Sequence, residues 1–309
     1  MTLQGPKLEE MTEGVLLVDK EQGDTSFGAV RRVRSLLGIK KAGHAGTLDP
    51  FATGLLVVLL GQGTKLSACL MAGGKRYQAT LRLGIETDTL DLTGRVVRTR
   101  PVPAIDLEEV LEKTRRFLGE GEQVPPSFSA VKHEGRRAYE LARRGIQVAL
   151  KKRKVTIHRL DVLSLDLPEV TVLVECSGGT YIRSLAADLG EALGAGAHVK
   201  ALRRLGSGSF TVDQSVRLGE LGRETAGAML RGRVISLRDA LPEMREHAVD
   251  EEEARRIRSG CQPGLHVAEH DGRRGGLFKM VKGPELVAVA AVYEKPGGDK
   301  GLRVLRVFH

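Results

Sequence analysis

The segment from Gly43 to Gly54, GHAGTLDPFATG, constrains this chain more than any other stretch. It places three glycines, a histidine, a carboxylate and a proline within twelve residues, directly before the apolar run Leu55–Leu60. Glycine admits backbone angles that other residues avoid, and proline removes a hydrogen-bond donor. A regular helix or a central strand is therefore not expected here. Asp49 precedes Pro50, which biases its backbone away from the helical region. Two readings fit: an ordinary Asp-Pro turn, or a loop that holds one acid in a fixed pose.

The 309 residues suffice for one large domain, or for a large and a small one. A charged fraction of 28% and an apolar fraction of 41% are those of a soluble globular chain. The net charge of +9 favours an anionic partner, with nucleic acid first and an anionic membrane surface second. Arginines outnumber lysines 32 to 16, and guanidinium forks suit phosphates and base edges, although biased codon usage would have the same effect. Cys69, Cys176 and Cys261 are far apart and form no Cys-x-x-Cys pair, which points to a reducing compartment. With no long apolar run and no signal-peptide pattern, the expected location is the cytoplasm, without a membrane partner.

Along the chain, residues 1–12 read as a loose lead-in, and 14–19 as a buried strand. Asp24, Thr25 and Ser26 offer N-caps to a helix carrying Phe27, Val30, Val33 and Leu36, which Gly38 ends. A helix is expected near 65–71. Residues 76–84 alternate, with Tyr77, Ala79, Leu81 and Leu83 on one face. A polar loop over 84–94 and a helix over 107–118 follow. Residues 124–154 are strongly basic with few core residues, and read as a projecting element that grips an anion. Strands are expected at 155–165, 170–176, 197–205 and 209–212, with a helix from about 182 to 193. Strands that recur without regular βαβ alternation argue for an α+β fold with a mixed or antiparallel sheet. A composition shift near 240–250 divides the chain into 13–245 and a small β-rich module, 246–309. That module contains a capped helix over 250–258 and a turn at Asp271-Gly272.

Several chemistries fail on spacing. Gly61-Gln62-Gly63-Thr64-Lys65 is too short for a P-loop, and no Cys-x-x-Cys pair offers a metal site. A glycosidase would need a second acid opposite Asp49, for which Asp91 is the nearby candidate. Arg183 is positioned in sequence to pair with Asp49; such pairing favours the ionised carboxylate and lowers its pKa. Tyr77 and Tyr181 are either stacking surfaces for an extruded base or, for Tyr77, part of the core face.

Taken together, the motifs resemble the TruB family of tRNA pseudouridine synthases. Besides the Asp49 segment, the likeness rests on Gly14-Val15-Leu16-Leu17-Val18-Asp19-Lys20, Lys75-Arg76-Tyr77, Thr87-Asp88-Thr89 and Pro126-Ser127-Phe128-Ser129-Ala130-Val131-Lys132. Gly179-Thr180-Tyr181-Ile182-Arg183 and the run from Gly196 to Leu205 follow in the family's order. The resemblance implies an α+β catalytic domain around a mixed sheet, with a small C-terminal PUA-like RNA-binding module. It implies isomerisation of uridine 55 in the tRNA T-loop without metal or organic cofactor, with tRNA as partner; a monomer is expected because the sequence suggests no oligomerisation seam. By the same resemblance, Asp49 is the catalytic carboxylate, Arg183 its ion-pair partner, and Tyr77 the platform for the flipped base. Tyr181 and Leu202 line the uridine pocket, His44 fills the space the base leaves, and Lys20 lies nearby. Residues 124–152 correspond to a thumb that closes over RNA. Guide-RNA-dependent relatives and a non-catalytic RNA-binding protein remain as alternatives.

Overall fold

Two neighbouring strands are buried on both faces, and the rest of the fold is arranged to cover them. A computed structural model describes residues 12–129, 131–133, 135–146, 149–221, 225–262, 276–294 and 300–309. The expected lead-in, apart from Thr12, and the Asp271-Gly272 turn lie outside those residues. The first part of the chain runs β1 (Gly14–Lys20), α1 (Ser26–Leu37), β2 (Ala42–His44), β3 (Thr53–Leu60), α2 (Ser67–Ala72) and β4 (Lys75–Leu83). Next come β5 (Ile85–Thr87), β6 (Val96–Thr99), α3 (Leu107–Arg115), β7 (Gly119–Gln123), β8 (Lys132–His133), β9 (Arg136–Arg137) and α4 (Ala138–Arg143). Then follow β10 (Arg153–Asp166), β11 (Glu169–Cys176), α5 (Ile182–Ala192), β12 (Ala197–Ser207), β13 (Phe210–Thr211) and α6 (Ala226–Arg231). The last are β14 (Arg245–Ala248), α7 (Glu251–Arg258), β15 (Leu277–Lys282), β16 (Glu285–Glu294) and β17 (Lys300–Val307).

The central sheet has the order β1-β3-β12-β4-β11-β10-β7, with β2 added beside β3 and β13 beside β12. Its pairings are antiparallel except between β3 and β12, which run parallel through Thr53–Arg203 and Gly54–Arg204. The fold is thus α+β with a mixed sheet. Side chains of β4 alternate between buried and half-buried or exposed, as its sequence period of two requires. In β1 and β3, by contrast, nearly every residue is buried. Leu16, Val18, Leu56 and Val58 join a core with α1 and α5, while Val15, Leu17, Leu55, Val57 and Leu59 join another with Val281, Leu286, Val289 and Phe308. The uninterrupted apolar run 55–60 is the signature of that double covering. The C-terminal sheet, β14-β15-β16-β17, supplies the second cover. No helix among the described residues is long and apolar enough to cross a membrane.

Several local expectations are corrected. Gly43 and His44 lie in the edge strand β2, and Thr53 and Gly54 open β3, so the loop proper is 45–52. Pairing with β3 overrides the composition there. Thr25 caps α1 and Gly38 ends it in the left-handed conformation, but Phe27 is 59% exposed beneath Arg31, and Leu36 is only partly buried. The helix is turned so that Ser26, Ala29, Val30, Val33 and Leu37 face inward. The expected helix at 65–71 is a 3₁₀ segment over 61–66 followed by α2, and α3 stops at Arg115. The loop over 84–94 begins with β5, which pairs with β6. In the basic segment 124–152, the described elements are the hairpin β8–β9 and α4.

At the parallel junction Gly54 has φ +99°, and a Cβ there would stand 2.3 Å from the Arg204 carbonyl oxygen. Gly54→Ala is therefore expected to destabilise the protein by about 1–3 kcal/mol in urea unfolding. A change below about 0.5 kcal/mol would show that the junction tolerates a side chain.

Candidate active site

The loop 45–52 is held from three directions. From α1, the Ser26 hydroxyl donates to the Leu48 carbonyl (2.9 Å) and accepts from the Leu48 N–H (2.8 Å). From β1, the buried Lys20 ammonium donates to the carbonyls of Pro50 (3.2 Å), Glu21 (2.9 Å) and Asp24 (2.8 Å). From β12, Arg204 donates to the Gly46, Thr47 and Leu55 carbonyls. The loop closes on itself through the Ala52 N–H to the Asp49 carbonyl (3.0 Å).

This cradle presents Asp49 to Arg183 on the first turn of α5. Arg183 Nε meets Asp49 Oδ2 at 2.9 Å, and Nη2 donates to Oδ1 at 3.2 Å. Nη2 also donates to the Phe128 carbonyl (2.9 Å), and Nη1 to the Thr89 carbonyl (2.8 Å), with Asp91 Oδ2 at 3.4 Å. Three of its N–H groups thus donate hydrogen bonds, and two carboxylates share its charge. The Arg183 side chain is 5% exposed, whereas that of Asp49 remains 33% exposed. The arginine is thus part of the floor, and the carboxylate opens outward.

Pairing alone would lower the Asp49 pKa, as the sequence suggests. The net direction in the structure is the reverse. Burial raises it, the Arg183 charge opposes this, and the Asp91 carboxylate adds to the rise. Burial also depresses the Lys20 ammonium to about 8, against the attraction of Asp24 and Asp49. His44 is lowered by burial and then by Arg204.

The remaining predicted residues take different positions. Tyr77 lies on β4 opposite Arg204 on β12, within the buried core, and burial raises its phenol pKa. Leu202 is buried on β12, opposite Ala79. Tyr181 caps α5 and is tied by its main chain to Gln123, whose side-chain amide accepts from the Tyr181 N–H (2.7 Å) and donates to its carbonyl (3.0 Å). His44 sits on β2 opposite Val58, and its Nδ1 is buried without a partner among the described residues. Asp49, Arg183 and Lys20 thus converge on the loop, Tyr77 stands opposite Arg204 in the sheet, His44 lies on the edge strand that leads into the loop, and Tyr181 is held from β7. Asp91 is buried on the same guanidinium as Asp49.

Sequence reasoning missed Ser26, Gln123 and Arg204, and gave Asp91 a different role. Only Ser26 left a signal: three capping residues stand in a row where one suffices, and Thr25 is the cap used. The other roles depend on long-range pairing.

The model described as TruB family pseudouridylate synthase (N terminal domain) matches residues 34–182, and that of the tRNA pseudouridylate synthase B C-terminal domain matches 183–244. The chain belongs to the TruB family of pseudouridine synthases. It is 44% identical to tRNA pseudouridine synthase B of Syntrophobacter fumaroxidans over 91% of both chains. To the protein of that name from Geobacter sulfurreducens it is 41% identical, over 96% of this chain and 100% of the relative. Among solved structures it is similar to a chain of a Cbf5-Nop10-Gar1 complex, with a TM-score of 0.77 and 26% identity over 98% of this chain and 88% of that one. TruB-family pseudouridine synthases are isomerases.

Asp49 is the acid whose protonation the site tunes. Arg183→Gln removes the charge that lowers its pKa, so the carboxyl should titrate at higher pH than in the wild type. Its ionised form, present above the folded pKa, would then be lost earlier as pH falls. Carboxyl carbon NMR of Asp49 reads this directly; an unchanged or lower titration midpoint would contradict the electrostatic role given to Arg183.

Proposed function

We propose that the chain isomerises the uridine at position 55 in the T-loop of tRNA to pseudouridine, with Asp49 as nucleophile acting on a flipped-out base. The observation that carries this reading is the half-buried Asp49 carboxylate, open on one side and clamped by a buried arginine that also donates to the Thr89 and Phe128 carbonyls. The naming of the 40–50% identical relatives as tRNA pseudouridine synthase B supports tRNA as substrate.

The reaction breaks the N1–C1′ bond, turns the base and forms a C5–C1′ bond; C5 loses a proton and N1 gains one, so the product is an isomer of the substrate. Atoms and electrons balance without a redox partner. Attack at C1′ and attack at C6 both require an ionised, aimed carboxylate, which the guanidinium fork supplies. The base must first leave its stack, at about a few kcal/mol. His44 fills the vacated position in the T-loop, and Tyr77 receives the base. Tyr181 and Leu202 line its pocket, with Lys20 behind the loop. Tyr77 is also the candidate for assisting loss of the C5 proton.

The basic segment 124–152 closes over RNA as a thumb, with its root fixed by Ser184 Oγ donating to the Val124 carbonyl at 2.8 Å. Residues 13–245 carry catalysis and 246–309 add RNA affinity. The enzyme acts in the cytoplasm as a monomer. Independent action on tRNA is favoured over guided action by the higher identity to the tRNA enzymes than to Cbf5 chains.

Asp49→Asn should lower the single-turnover rate on a tRNA transcript by more than about 10³-fold while leaving its Kd within about threefold. Near-normal pseudouridine formation would refute the nucleophile. Deleting the C-terminal module would uncover Val57 and Leu59, so its RNA role is tested by charge reversal on its exposed last strand. Arg303→Glu with Arg306→Glu should weaken binding about tenfold, flatten its salt dependence and spare the bound-state rate. An unchanged Kd would count against an RNA role for that strand.

A further inference from the structure

Arg204 is the largest fully buried side chain among the described residues. Its guanidinium sits beside two other buried cations, Lys20 and Lys75, whose ammonium pKa values it helps to depress. No ion pair with a carboxylate compensates it among the described residues. Burying an uncompensated charge is costly, and an apolar side chain of similar volume would often serve stability better. What Arg204 does is bracket the loop that carries Asp49. Nη2 donates to the Gly46 carbonyl at 3.1 Å and Nη1 to Thr47 at 3.4 Å, before the acid; Nε donates to Leu55 at 2.7 Å, after it.

The backbone around Arg204 is shaped for this reach. Gly46 has φ +113°, and a Cβ there would stand 3.6 Å from Nη1. Gly54 lets β3 approach the Arg204 main chain at the parallel junction. On its other side Arg204 on β12 stands directly opposite Tyr77 on β4 in the antiparallel register, which puts both side chains on one face of the sheet. One residue therefore connects both limbs of the loop to the strand bearing the aromatic platform.

We propose that Arg204 is a positioning residue for the isomerisation: it fixes the aim of Asp49 relative to Tyr77 without touching the substrate. Lysine keeps the charge but cannot span three carbonyls with one planar fork. The inference rests on the pseudouridine-forming reaction proposed above, and the test separates the two. Full-length wild type, Arg204→Lys, Arg204→Ala and Arg203→Ala are compared in single-turnover isomerisation of a tRNA transcript, with Kd measured separately. An inactive wild type overturns the functional reading and this inference with it. With an active wild type, Arg204→Lys is expected to bind within about twofold of wild type and to react about 10²-fold more slowly, the scale of a 1 Å misplacement. Arg204→Ala should regain rate when guanidinium is added at sub-denaturing concentration. Arg203→Ala should not, because Arg203 pairs with Asp19 instead. A folded Arg204→Lys enzyme with a wild-type rate overturns the proposal, as does a rate loss matched by an equal loss of affinity. Should Arg204→Lys fail to fold, the rescue decides: no gain in rate for Arg204→Ala with guanidinium overturns it.

Discussion

The fork between Arg183 and Asp49 is the interaction on which the rest of the site depends. One guanidinium joins the loop 45–52, the turn holding Thr89 and Asp91, the Phe128 carbonyl at the root of the basic segment, and the start of α5. Removing it would leave buried carboxylates and carbonyls unmatched, and a broken buried pair costs about 3–5 kcal/mol. The same commitment gives the carboxylate its direction. Because Arg183 also donates to the Thr89 and Phe128 carbonyls, it cannot turn away from Asp49 without breaking another bond, and the open side of the acid is left for a reacting group.

The loop can be this specific because its supports are rigid. β1 and β3 are sealed between the helices on one face and the C-terminal sheet on the other. The small C-terminal sheet is thus continuous with the core beneath the Asp49 loop. β14 begins at Arg245 and pairs with β15. Phe308, near the end of β17, is buried against the same strands, and Lys65 from the 3₁₀ segment after β3 donates to the Val307 carbonyl at 2.7 Å. The module that adds RNA affinity in the proposed function also stiffens the strand from which the loop departs.

Much of this was legible in the sequence where the cause is local. The α1 cap and its glycine terminus, the period-two pattern of β4 and the apolar run of β3 all follow from residue type and spacing. Features caused by distant partners were not legible. β7 reads Gly-Glu-Gly-Glu-Gln, with no apolar pattern, and exists because β10 pairs with it. Phe27 fits an apolar stripe by spacing but faces solvent, because Ser26 turns inward to hold Leu48. The direction of the Asp49 pKa depends on how deeply the loop is buried, which residue identity does not reveal. Arg204 lies within a motif quoted for its resemblance, yet its reach to three carbonyls appears only once β3 and β12 meet in parallel.

The proposed chemistry is tested most directly by incubating the full-length protein with an unmodified tRNA transcript and mapping pseudouridine at single-nucleotide resolution. Pseudouridine at position 55 and at no other uridine is the predicted result. A transcript that is bound but left unmodified, or modified elsewhere, would contradict it.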